Sequence, residues 1–248
     1  MKISIITPNF NGGKYIENCI KSVLSQGVNF EHIIVDSKST DSSIKIFDKY
    51  PHLKIISEKD KGMYYAINSG IEICDGDIIA YLNSDDRYPV DTLKKVLSVF
   101  NDNLVDYVYG NCKLIDQFEN EIYVYKVPPI SRNLLKKITV VPWAQPSMFF
   151  RRCVFDSLGN FNIKYVLASD YHFMKKVIHS NLKGVGIRSV LSEFMVREDA
   201  LSAKYLEEMK LEGIQVKNDL KISDKPVIDF FFNIYRKLFN FHTFFKKI

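Results

Sequence analysis

The stretch Ile78-Ile79-Ala80-Tyr81-Leu82-Asn83-Ser84-Asp85-Asp86 decides how this chain is read. An apolar run stops abruptly at adjacent carboxylates, with Gly76 before it and Arg87-Tyr88-Pro89 after it. Continuous apolarity is what a strand covered on both faces requires, so the run predicts a buried parallel strand. In open α/β sheets, ligands bind in the crevice beyond the carboxyl ends of such strands. Two carboxylates side by side there repel each other unless a cation relieves them. A divalent metal carrying a diphosphate suits the position, because magnesium-like ions take one or two carboxylates plus phosphate oxygens. An isolated Asp-Asp also fits a solvated turn, and the surrounding chain has to choose between the two.

Upstream, strand and helix signals alternate. Ile3 to Thr7 is an apolar strand that stops at Pro8-Asn9-Phe10-Asn11-Gly12-Gly13, a loop by composition. Ile16, Ile20, Val23 and Leu24 recur at helical spacing and end near Gln26-Gly27. His32 to Val35 is a second strand ending in Asp36, and Ser39-Thr40-Asp41-Ser42 supplies capping chemistry for a helix carrying Ile44, Ile46 and Phe47. Leu53 to Ile56 is a third strand before Glu58-Lys59-Asp60-Lys61-Gly62, and a helix with Tyr64, Ile67 and Ile71 leads to the Asp85 strand. This βαβαβαβ rhythm implies a mostly parallel sheet with helices on both faces. Right-handed crossovers then bring the loops after Thr7, Val35, Ser57 and Leu82 to one rim.

Beyond Tyr109 the rhythm breaks. Cys112 to Val127 alternates around Asp116-Gln117-Phe118-Glu119-Asn120, which predicts a hairpin. Ser147 to Phe150 reads as a further strand, with a helix from about Arg152 and another beginning at Ala168-Ser169-Asp170. Three segments result: 1–110 and 111–205 as two halves of one domain, and 206–248 as a helical, amphipathic tail.

The bulk properties suit a globular protein: 248 residues, 46% hydrophobic and 25% charged, with a net charge of +5. Cys19, Cys74, Cys112 and Cys153 lie far apart without a CxxC pair, which predicts reduced, mostly buried thiols in a cytoplasmic protein. The chain enters its first strand at once, so no signal peptide is expected. No apolar run is long enough to span a bilayer. The basic residues form no continuous patch with base-stacking spacing, which argues against nucleic-acid binding.

The rim loops carry Asn9 and Asn11, Asp36, Ser39 and Asp41, Glu58, Asp60 and Lys61, then Asn83, Asp85 and Asp86. Neither GxGxxG nor GxxxxGK[ST] occurs, so a diphosphate would be held through a metal at Asp85 rather than by a glycine-rich cradle. Taken in order, Ile5-Ile6-Thr7-Pro8-Asn9-Phe10-Asn11, Ile34-Val35-Asp36-Ser37-Lys38-Ser39-Thr40-Asp41, Glu58-Lys59-Asp60-Lys61-Gly62 and Leu82-Asn83-Ser84-Asp85-Asp86 resemble glycosyltransferase family 2. The likeness is to the bacterial branch that builds capsule, O-antigen and exopolysaccharide, and it covers roughly residues 1 to 200. It implies an α/β fold of the GT-A type, with a mostly parallel, Rossmann-like sheet, a smaller acceptor-side region and C-terminal helices. It also implies a nucleotide-diphosphate sugar donor, a UDP-sugar by family habit, used with Mn2+ or Mg2+ and transferred with inversion to a saccharide or polyprenyl-linked acceptor. By this resemblance Asp36 contacts the nucleobase, Asp60 helps hold the nucleoside, and Asp85, with Asp86 beside it, is the metal ligand. Thr7, Pro8, Asn9, Asn11, Ser39, Lys61, Asn83, Ser84, Trp143, Gln145 and Arg197 complete the candidate substrate-binding set.

The resemblance places the base that deprotonates the acceptor at Asp170, which by itself would serve equally as a helix cap. An acceptor hydroxyl is a poor nucleophile until a carboxylate within reach takes its proton. The chain departs from the family pattern at Asn83, where many members carry an acid, at Gln145, where His is frequent, and at Tyr65 and His172. Trp143, the only Trp, suits stacking on a sugar as well as loop packing. Two other readings share the crevice: a sugar-phosphate nucleotidyltransferase, which would normally carry a basic glycine-rich loop after the first strand, and a donor-binding partner without turnover.

In the tail, Val227, Phe230, Phe231, Ile234, Tyr235, Leu238, Phe245 and Ile248 fall near one helical face, with Arg236, Lys237, Asn240, Lys246 and Lys247 mainly elsewhere. A basic-flanked aromatic face suits a peripheral contact at the inner surface of the cytoplasmic membrane. Packing on the domain's own core or a homodimer contact suits it as well.

Overall fold

Successive side chains of a strand point to opposite faces, and on the central strands both directions are apolar. The computed structural model describes residues 1–59 and 61–241. In β1 (Ile3–Asn9), Ile3 and Ile5 pack against α1 (Ile16–Leu24) and α4 (Thr92–Phe100), while Ile6 faces α3 (Met63–Ile73) and, further along, α6 (Arg152–Leu158) and α7 (Ser169–His179). In β4 (Ile78–Tyr81), Ile78 and Ala80 join the first core, Ile79 and Tyr81 the second. The result is one sheet with a helical layer on each face.

β1 pairs in parallel with β2 (Phe30–Asp36), β2 with β3 (Leu53–Ser57), and β4 with the other edge of β1. The crossovers run through α1, the short α2 (Ser43–Phe47) and α3. Beyond β4 the sheet turns mixed, in the order β3-β2-β1-β4-β7-β5-β6 with β8 added on β5. β7 (Met148–Arg151) slots antiparallel between β4 and β5 (Tyr107–Ile115), so the Ile78–Tyr81 run is parallel only toward β1. The expected hairpin is β5 with β6 (Glu121–Tyr125). The boundary drawn at 110/111 falls inside β5.

β8 (Gly184–Met195) has no counterpart in the sequence reading, yet it runs parallel to the whole of β5. Gly184 and Gly186 lie under the rings of Tyr107 and Tyr109; a Cβ on Gly184 would come within 2.2 Å of the Tyr107 ring. Cys19, Cys74 and Cys112 are buried thiols, whereas Cys153 is exposed on α6. After β8 come α8 (Leu201–Lys204), α9 (Leu206–Asp219) and α10 (Pro226–Phe239). No helix among the described residues is long and apolar enough to cross a membrane. Lys246, Lys247, Phe245 and Ile248 of the tail lie outside the described residues.

Candidate active site

Parallel pairing sets Asn9 opposite Asp36 at the carboxyl ends of β1 and β2. The Asn9 amide donates to Asp36 Oδ1 at 2.8 Å and to Ser39 Oγ at 3.1 Å. Ser39 donates through its backbone N–H to Asp36 Oδ2 at 2.9 Å and through Oγ to Oδ1 at 2.6 Å. The Asn11 N–H reaches Ser39 Oγ at 2.8 Å, and Asn11 Oδ1 accepts from the Thr40 N–H at 2.9 Å. Asn11 holds this double contact with φ 51°, a left-handed conformation that Asn tolerates better than most residues. Asp36 is fully buried within this network.

Gly12 ties this corner to the next loop. A Cβ on it would lie 2.3 Å from Asn9 Oδ1 and 3.0 Å from Ser84 Oγ, so only glycine lets the first and fourth loops approach this closely. Pro8 is half-buried opposite Val35. Thr7 is buried beneath the rim, with its hydroxyl 2.9 Å from His32 Nε2. Lys61 is exposed, and Asp60 lies outside the described residues.

Beyond β4, Asp85 and Asp86 have diverged in environment. Asp86 is 1% exposed, accepts from the Met195 N–H at 3.1 Å and meets the Asn83 amide at 3.3 Å. Burial, reinforced by the neighbouring Asp85 charge, pushes its carboxyl well above the usual carboxylate range. Asp85 is half-buried and accepts from Arg197 Nε at 2.8 Å; that guanidinium lies 4.9 Å from the Tyr15 ring centroid and also pairs with Asp199. Asp85 and Asp86 open onto a cavity of about 100 Å³ shared with Lys14, Tyr15, Arg87 and Met195.

A divalent cation fits this donor set. Asn83 Oδ1 is buried without a hydrogen-bond partner, and it stands two residues from the Asp85 carboxylate. Two oxygen donors, one charged, suit an ion that takes the rest of its shell from phosphate and water. Among the described residues no cluster of three or more His, Cys, Asp or Glu forms a self-sufficient metal cage.

Asp170 lies in the first turn of α7 rather than at its cap, which is Ala168, and accepts from the Tyr171 N–H at 2.7 Å. The hydroxyl of Tyr81 on β4 interacts with that of Tyr64 on α3, and the Tyr64 hydroxyl interacts in turn with the Asp170 carboxyl. Burial raises the Asp170 pKa, and the Tyr64 hydrogen bond partly offsets this. Both tyrosine hydroxyls are held well above their ordinary range by burial and the nearby charge of Asp170; Tyr81 also feels Asp86. The end of β4 therefore links the Asp85–Asp86 corner to Asp170.

Gln145 donates to the Tyr81 carbonyl at 2.9 Å and secures the same strand end. Trp143 is 5% exposed and stacks on Tyr109 with centroids 4.3 Å apart, which is the loop-packing arrangement. His172 is buried against Tyr165, with a pKa lowered by burial. The sequence reading took Tyr64 as core, left Tyr81 inside an apolar run, and missed Lys14 and Tyr15 altogether. Helical spacing marks a residue as inward-facing and cannot distinguish a tyrosine that bonds a carboxylate from one that only packs.

A profile for glycosyl transferase family 2 matches residues 4–159, more than half of the chain. The chondroitin synthase of Escherichia coli is 31% identical over 182 residues, 71% of this chain but 26% of that protein. A PGL/p-HBAD biosynthesis glycosyltransferase of Mycobacterium tuberculosis H37Rv is 28% identical over 185 residues, 68% of this chain and 67% of the relative. Among solved structures, S. aureus TarS 1-349 in complex with UDP-GlcNAc superposes with a TM-score of 0.67 at 20% identity, covering 88% of this chain and 67% of that one. The mannosyltransferase PcManGT from Pyrobaculum calidifontis, in complex with GDP-Man and Mn2+, gives 0.67 at 18% identity, covering 91% and 66%. The fold is that of the GT-A enzymes. With the family profile spanning more than half of the chain, the chain belongs to glycosyl transferase family 2.

Proposed function

We propose that the protein is an inverting, metal-dependent transferase that moves a sugar from a UDP-sugar to a saccharide or lipid-linked acceptor during synthesis of a bacterial surface polysaccharide. One observation carries the reading: the end of β4 connects a cation-competent corner, Asp85 with the unpartnered Asn83 Oδ1, to the half-buried base Asp170 through Tyr81 and Tyr64. The UDP-GlcNAc bound by TarS supports a uridine donor.

In this scheme Asn9, Asn11, Asp36 and Ser39, together with Asp60 and Lys61 of the loop after β3, seat the nucleoside. Ser84 and Arg197 would flank the diphosphate, and Asp85 with Asn83 would hold Mn2+ or Mg2+, leaving Asp86 as a buried support. When bound, such an ion would supply positive charge against the departing diphosphate. Asp170 accepts the acceptor hydroxyl proton as its oxygen attacks the anomeric carbon, and the bond to UDP breaks on the opposite side. Gln145 keeps the β4 end in position, and Trp143 backs the acceptor side.

UDP-sugar turnover with Mn2+ tests the scheme. Asp170→Asn is expected to lower kcat by about 10²- to 10⁴-fold while leaving UDP binding intact. Asp85→Ala is expected to abolish the Mn2+-dependent part of the thermal shift that UDP produces. Undiminished transfer in both variants would remove the mechanism.

A further inference from the structure

The structure holds an apolar stripe outward on α10 that nothing in the donor site uses. Val227, Phe230, Phe231, Ile234 and Leu238 are 66%, 61%, 64%, 40% and 65% exposed. At 3.6 residues per turn they fall within a stripe roughly 100° wide. Scattered exposed apolar residues are ordinary on protein surfaces; a contiguous aromatic stripe marks an interaction surface.

The helix cannot roll this face inward, because its other side is bolted to the domain. Phe232 is 3% exposed in the core, and Asp229 accepts from Thr139 N at 2.8 Å and Thr139 Oγ1 at 2.7 Å. Asn240 pairs with both backbone groups of Lys126, at 2.8 and 3.0 Å, and Tyr235 donates to the Pro129 carbonyl at 3.0 Å.

Charge selects the occupant. The only acid on α10 is Asp229, and it is turned inward onto Thr139. Lys225 at the N-cap, Lys237 beside the stripe and Lys126 at the far end are exposed cations. The chain then continues as His242-Thr243-Phe244-Phe245-Lys246-Lys247-Ile248, again aromatic and basic without an acid. A second copy would bring the same cations and no acid from this helix to pair them. An anionic bilayer supplies both halves, headgroup charge for the lysines and an acyl boundary for the phenylalanines.

We propose that α10 docks the protein flat on an anionic membrane surface through Val227, Phe230, Phe231, Ile234 and Leu238. This deepens the proposed function and rests on it for its purpose. The Thr139 carbonyl accepts from the Tyr171 hydroxyl at 2.7 Å, and Tyr171 adjoins Asp170. The docking helix and the base are thus fixed to each other through Thr139, an arrangement suited to an acceptor whose lipid stays in the bilayer.

The test is co-sedimentation of the full chain with phosphatidylcholine vesicles, with and without added phosphatidylglycerol. Binding is expected only with phosphatidylglycerol, weakening with salt and falling at least about tenfold in Phe230→Glu/Phe231→Glu. Lys225→Glu/Lys237→Glu is expected to weaken it by about fivefold per cation. All four positions are exposed, so melting temperature and Mn2+-dependent UDP binding should stay at wild-type values, which separates failure of docking from failure of the donor site. Wild-type protein that ignores anionic vesicles, or binding indifferent to Phe230→Glu/Phe231→Glu, would overturn the proposal. A dimer in sedimentation analysis that this double variant dissolves would overturn it in favour of a second copy.

Discussion

Tyr64 sits on the apolar side of α3 yet directs its hydroxyl to Asp170. That bond favours the ionised carboxylate, while burial works against it. Removing the hydroxyl therefore raises the Asp170 pKa further, and under the proposed scheme a base that must be ionised to act loses activity at the acid end first. In Tyr64→Phe the acid limb of the pH profile of kcat is expected to move to higher pH, with near-normal turnover at the alkaline end. A profile that falls uniformly at every pH would assign Tyr64 to packing alone. At this scale the sequence revealed the charged residues, since Asp85 and Asp36 announce themselves by ending apolar strands. It hid Tyr64 and Tyr81, because a buried tyrosine that bonds a carboxylate has the same spacing as one that fills space.

Among the elements, α3 lies so close to the sheet that Gly70 has no room for a side chain. A Cβ there would meet Ile6 Cγ2 at 2.5 Å and Val35 Cγ2 at 3.3 Å. Gly70→Ala should destabilise the fold by about 1–3 kcal/mol through overpacking, read as a lower denaturant midpoint with an unchanged slope. It should also impair turnover, because α3 carries Tyr64. An unchanged midpoint would mean that α3 can lift off the sheet without cost. The parallel half was legible because β1, β2 and β4 are continuous apolar runs closed by loop chemistry. β8 was not: its glycines at 184 and 186, its exposed Arg188 and its half-buried Ser189 break both alternation and apolarity. Those glycines exist to pass beneath Tyr107 and Tyr109, a demand set by β5 across the sheet rather than by neighbours in the chain.

For the molecule as a whole, His32 ties stability to acidity. It is fully buried beside Thr7, and burial depresses its pKa to about 3. The unfolded chain takes up a proton near pH 6.5 that the folded chain refuses, so the stabilisation present at neutral pH is lost as the medium acidifies from there toward 3. Stability is expected to fall by about 1.4 kcal/mol per pH unit within that window from this residue. Denaturant melts between pH 7 and 5 check it: His32→Gln should flatten the dependence, and an equally steep slope in the variant would place the effect elsewhere.

The insertion of β7 beside β4 has a consequence for how the molecule is made. Ile79 finds its second neighbour at Phe150, so a ribosome that has released the first four strands has delivered a sheet with one raw edge beside the Asp85–Asp86 corner. That edge waits through the whole hairpin before anything can seal it. A fragment ending at residue 110 should therefore collect in inclusion bodies rather than bind UDP, and crevice assembly during translation should begin only once β7 has emerged.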